Sequence, residues 1–200
     1  MNDLTINWKQ ERPNERQLSG LWSTIKVSQI ENWTNSAKTL RENINETHSD
    51  GGILLHKYKI EPNLYFDWFA TRNRLDEIEF LTNFFSHNEL KSYRTDLKIT
   101  DVKPQVINVK HSTDIYELSG ELSRIMGLGG AYKSIDQKLA WKIATDFIKN
   151  EFENRFEEFN LYHFAIPTAQ WFHDIAWDYS TLLFDKRKYE VIIIDVTDSD

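Results

Sequence analysis

Val191-Ile192-Ile193-Ile194 is apolar and β-branched at four successive positions. Successive side chains of a strand point to opposite faces, so a run without polar alternation buries both of them. The strand therefore lies inside a sheet and not at its edge. Its partner is adjacent in the chain: Asp178 to Phe184 and Tyr189 to Val196 read as a hairpin around Asp185-Lys186-Arg187-Lys188.

Other elements follow from periodicity. Ile30, Trp33, Ala37, Leu40 and Ile44 fall at steps of three and four, the stripe of a helix that Asp50-Gly51-Gly52 ends. Ile53 to Ile60 reads as a strand and Glu61-Pro62-Asn63 as a turn. Leu64 to Ala70 reads as the hairpin partner, with Leu64, Phe66 and Trp68 on one side. A helix from Leu64 is the alternative, because the segment is aromatic on both faces. Leu75, Ile78, Leu81 (or Phe80) and Phe85 give a second helix, and Gln105 to Val109 a short strand.

Asp114 and Glu117 have capping-box spacing before the stripe Ile115, Leu118, Leu122 and Ile125, which Gly127-Leu128-Gly129-Gly130 stops. Ser134 and Gln137 repeat that spacing before the longest helix, with Leu139, Ile143, Phe147 and Ile148 inward. Leu161 to Ile166 reads as a strand stopped by Pro167, and Leu4, Ile6 and Trp8 alternate as a short strand would. Successive hairpins make the class α+β: a largely antiparallel sheet of about five or six strands with four helices packed on it.

The 12 Phe, 8 Tyr and 7 Trp supply a core, while 7 Gly and 4 Pro leave no low-complexity linker. The expectation is one α+β domain over residues 1–200, with 1–25 as a loosely packed N-terminal segment. There is no cysteine, which excludes disulfides, thiolate nucleophiles and thiolate-bound zinc. The first residues hold no apolar signal core and no later run is long enough for a membrane span, so a soluble, cytoplasmic protein is expected.

Charge narrows the partners. The net charge is -7, with 13 basic and 14 acidic groups in residues 1–100 but 11 and 17 in residues 101–200. Nucleic acid needs a basic stripe, and the longest basic run here is Lys186-Arg187-Lys188, inside a hairpin. An anionic membrane repels such a chain. A basic protein is the electrostatic complement.

Gly127 to Ser134 resembles a phosphate-binding loop until its details are compared. Tyr132 stands before Lys133 where that loop requires glycine, and the segment follows a helix, not a strand. It reads as a helix–helix connector. The segment Trp171-Phe172-His173-Asp174-Ile175-Ala176-Trp177-Asp178 places a histidine among carboxylates and aromatics, the groups of general acid–base chemistry. Catalytic candidates are thus His173, Asp174 and Asp178. Trp171, Trp177 and Asp174 are binding candidates, since aromatic anchors beside charge suit an interface. Asp195, Asp198 and Asp200 cluster carboxylates beyond the last strand; Asp195 and Asp198 are the metal candidates, although a solvated chain end is the simpler expectation.

No complete catalytic constellation emerges. The expectation is therefore a non-enzymatic, acidic protein-binding module of immunity- or antitoxin-like character, with no cofactor. The alternative is a hydrolase working through His173 with Asp174 or Asp178, assisted by a metal at Asp195 and Asp198.

Overall fold

The computed structural model describes residues 6–200. Its centre is one six-stranded sheet in which every neighbouring pair is antiparallel. The chain begins with two short helices, α1 (Glu15–Leu18) and α2 (Leu21–Thr24), then β1 (Val27–Gln29) and α3 (Asn35–Thr47). Next come β2 (Gly52–Ile60), α4 (Leu64–Ala70), α5 (Phe80–Phe85) and α6 (Lys91–Asp96), and then β3 (Ile107–Ser112) and α7 (Tyr116–Leu128). The chain closes with α8 (Gln137–Phe152), β4 (Phe159–Ala165), β5 (Tyr179–Asp185) and β6 (Glu190–Thr197).

Strand order is β1-β2-β6-β5-β4-β3, so the all-apolar β6 sits between β2 and β5 as its composition requires. Its side chains divide between two cores. Val191 and Ile193 pack with Phe66, Phe84 and Tyr93 from α4 to α6 on the first face. Ile192, Ile194 and Val196 pack with Leu40, Leu122 and Phe147 from α3, α7 and α8 on the second. Helices thus cover both faces of an antiparallel sheet. None of the described helices is long and apolar enough to cross a membrane.

Several expectations are corrected. Leu64–Ala70 is the helix that stood as the alternative, not a hairpin strand. The Asn63 side chain accepts from the backbone N–H of Tyr65 at 3.0 Å and Phe66 at 3.2 Å, and that N-cap decides the conformation. The segment 75–85 is a 3₁₀ turn (Leu75–Ile78) followed by α5, broken at Glu79, which is left-handed with φ 50°. The longest helix is capped by Asp136, whose carboxylate accepts from Lys138 and Leu139 N–H, and not by Ser134. Glu117 does not reach back to a cap; it pairs with Lys110. Leu139 faces solvent. Trp8 lies in a turn, Ile6 is in no regular element, and Leu4 falls outside the described residues. Among the described residues there are eight α-helices, the expected four and in addition α1, α2, α4 and α6, which at four to seven residues are too short for a periodic stripe.

Candidate functional site

The β5–β6 register sets Ser180 opposite Asp195 near one end of the sheet. Alternation turns both side chains toward the first face, the one covered by α4 to α6. There the Ser180 hydroxyl donates to Asp195 Oδ1 at 2.6 Å. Both residues are buried, Asp195 completely, and its second oxygen has no hydrogen-bond partner among the described residues. The Tyr93 hydroxyl of α6 faces this carboxylate but stays outside hydrogen-bond geometry.

The row continues along β2. Tyr93 meets the His56 ring edge-on at 5.2 Å, and His56 stacks with Tyr58 at 6.4 Å. Among the described residues neither His56 nitrogen has a hydrogen-bond partner; Nε2 lies 3.5 Å from Asp96, which is exposed at the surface. A buried polar row therefore runs from Ser180 through Asp195 and Tyr93 to His56.

Burial sets the protonation of these groups. Complete burial pushes the Asp195 carboxyl up to about 7, against the hydrogen bond from Ser180 and the nearby Tyr93 hydroxyl. Burial raises the Tyr93 hydroxyl well above its ordinary range, and Asp195 and Tyr58 add to the effect. It also lowers His56, with Asp96 and Glu31 opposing, so this imidazole is neutral. A carboxyl poised near neutrality against a hydroxyl is an arrangement suited to proton transfer.

One end of the row reaches a cleft. Ser180 lines a concavity of about 350 Å³ with Phe164, Ile166, Pro167, Phe172 and Ile175 among its walls. Asp174 and Asp178 supply charge to the same cleft. Its outer wall is the loop 166–178, which contains the 171–178 segment singled out from sequence. Within that loop the Asp178 carboxylate accepts from the backbone N–H of Ile175 at 3.1 Å and, at 3.5 Å, from that of His173; the Thr197 hydroxyl also donates to it. Asp178 thereby fastens the loop to the end of β6. His173 and Asp174 are exposed, Asp174 in a left-handed conformation (φ 60°), and the His173 ring has no hydrogen-bond or ion-pair partner among the described residues. The loop thus meets Asp178 through the backbone of His173 and not through its imidazole.

Both tryptophans of the loop are half-buried. Trp171 and Phe172 pack on the first core with ring centres 5.1 Å apart. Trp177 lines a separate hollow of about 160 Å³ with His48, Arg124 and Leu128. Asp200 is exposed, as expected of a solvated end, but residues 195–198 are built in. Asp195, Thr197 and Asp198 are all buried. Asp198 accepts from Asp50 N–H at 2.9 Å and from Ala131 N–H at 2.7 Å, and a Cβ on Gly130 would fall 1.9 Å from its Oδ2. The glycine connector exists to admit this carboxylate, because buried backbone N–H groups need an acceptor.

Asp195 and Asp198 are consequently engaged with different partners. Among the described residues the one set of three side chains with metal-ligand spacing is Glu117, Glu121 and His163, on the second face. Sequence reading missed it, as it missed Ser180 with Asp195, since each set joins distant segments. No known family model matches this chain, and no curated protein is similar to it.

Proposed function

We propose that the chain is an acidic protein-binding module, of immunity- or antitoxin-like character, that seats an apolar side chain of a basic partner in the cleft under the 166–178 loop. The observation that carries this reading is the cleft itself: apolar walls, carboxylates in its lining and half-buried aromatics beside it. Such a concavity takes up an anchor residue, and the surrounding acidic charge steers a basic partner toward it.

The test is binding kinetics, at two salt concentrations, against a partner captured from the native cell. Ala165 also lines the cleft, and Ala165→Trp, which fills it, is expected to weaken binding by about 2 kcal/mol or more. Trp171→Ala and Trp177→Ala are expected to quicken dissociation. Asp174→Asn, at an exposed position, is expected to slow association and flatten its salt dependence. A folded Ala165→Trp protein that binds as wild type does would place the interface elsewhere.

One observation favours a second reading, a hydrolase, now centred on Ser180 and not on His173. In that reading Asp195 takes the Ser180 proton as Oγ attacks a carbonyl carbon. The leaving group then departs with that proton, and water releases the acyl group from Ser180. A fluorophosphonate probe is expected to label Ser180, with labelling lost in Ser180→Ala. Absence of label on the native protein would sink this reading and leave the binding one untouched.

A further inference from the structure

We infer that Glu117, Glu121 and His163 form a binding site for one divalent cation of the zinc class, with a fourth coordination position open to solvent. Glu117 and Glu121 stand one turn apart on α7, so their side chains share a face. That helix packs over the second face of the sheet, where alternation along β4 points His163 up at it: Leu161 on the same face belongs to the second core, and Tyr162 and Phe164 to the first. One ligand atom from each of the three residues lies within 4.8 Å of the others.

The spacing is informative. His163 Nε2 and Glu121 Oε1 are 3.4 Å apart, and among the described residues this buried nitrogen has no hydrogen-bond partner. With its proton on Nδ1 the imidazole would hold the Nε2 lone pair against the carboxylate at that distance. Something positive between them removes the repulsion. Zinc bound at about 2.1 Å to each atom in tetrahedral geometry sets ligand atoms about 3.4 Å apart, which matches the gap; an octahedral ion with similar bond lengths needs about 3.0 Å.

The surroundings hold the ligands in place. Tyr179 donates its hydroxyl to Glu121 Oε2 at 2.8 Å, leaving Oε1 to face His163. Lys110 occupies Glu117 Oε2 at 2.8 Å and leaves the other oxygen of that carboxylate unused. The Tyr179 ring also meets the His163 ring edge-on at 5.8 Å, fixing its plane. Outer contacts of this kind orient metal ligands. His163 and Glu121 are half-buried whereas Glu117 is exposed, so the site opens to water on the Glu117 side. A mixed nitrogen and oxygen donor set of three favours zinc over magnesium, which keeps its waters and prefers oxygen alone.

The experiment is a competition titration of the full chain with zinc against a chromophoric chelator at neutral pH. One equivalent of zinc is expected to bind, with magnesium at a thousandfold excess unable to displace it. Glu121→Gln and His163→Gln are each expected to weaken zinc binding at least 10-fold, and Tyr179→Phe about 10-fold. Glu117→Gln, at an exposed position that does not threaten folding, is expected to do the same as Glu121→Gln. If zinc does not bind, the proposal falls. If zinc binds equally to the Glu117→Gln protein and to wild type, the ion sits elsewhere, and the proposal falls too.

Discussion

Glu151→Ala is expected to destabilise the protein by about 3–5 kcal/mol, because it strands a buried ammonium. Lys57 of β2 and Glu151 of α8 form an ion pair whose side chains are 3% and 2% exposed. The same carboxylate accepts from the Thr34 backbone N–H at 3.3 Å and the Thr34 hydroxyl at 2.8 Å, so it also secures the residue that caps α3. Without Glu151 the ammonium keeps only the Asn32 carbonyl at 3.4 Å, the Trp33 ring at 4.8 Å and a distant Glu190 carboxylate at 4.0 Å. For a chain of this size the melting temperature should fall by on the order of 10 °C. The double change Lys57→Met with Glu151→Leu removes both charges and fills their space, so it should recover most of the loss. Denaturant unfolding of the single and double variants measures both. A single variant within about 1 kcal/mol of wild type would mean that Lys57 finds water once its partner is gone.

The sheet was readable wherever both faces of a strand, or a full helical stripe, were committed to a core. Val191 to Ile194 revealed a central strand, and Ile53 to Ile60 and Leu161 to Ile166 lay within a residue or two of β2 and β4. The helices built on Leu40, Leu122 and Phe147 were equally visible. What failed was local competition. Aromatic Leu64–Ala70 fits strand propensity and helix stripe equally well, and one side-chain cap at Asn63 tips the balance. β1 has three residues and α6 has six, lengths at which tertiary packing and not pattern selects the conformation.

The site was less legible for a different reason. The loop 171–178 stood out by composition, and it does wall the cleft that Ser180 lines. Yet Ser180 and the strongly perturbed Asp195 sit in strands whose pairing fixes them. A polar residue in an apolar strand was the available signal: Asp195 follows four buried apolar residues directly, and His56 interrupts β2 in the same way. Glu117, Glu121 and His163 gave a weaker signal, two carboxylates at helical spacing that needed a third ligand from a strand 42 residues beyond the nearer one.

Asp195→Asn is expected to make the protein more stable, and increasingly so as pH rises. The carboxyl titrates at about 7 in the folded protein, because burial disfavours its charge, and at about 4 when unfolded. Between those values the folded state holds a proton that the unfolded state has released. The stability this group contributes is therefore full below about pH 4, is lost as pH rises toward 7, and is level above that. Asparagine has nearly the shape of the protonated acid: its carbonyl can accept from Ser180, and its amide can face Tyr93 without ionising. The variant should exceed wild type by about 1 kcal/mol at pH 4.5 and by about 4 kcal/mol at pH 8. Urea unfolding across that range measures the divergence, and parallel curves would show that the buried carboxyl does not titrate there. The same protein separates the two functional readings. If the cleft only binds, the stabilised variant should hold its partner as before. If Asp195 draws the proton from Ser180, the variant should lose reaction with the fluorophosphonate while gaining stability, the trade expected where a strained, buried charge serves chemistry.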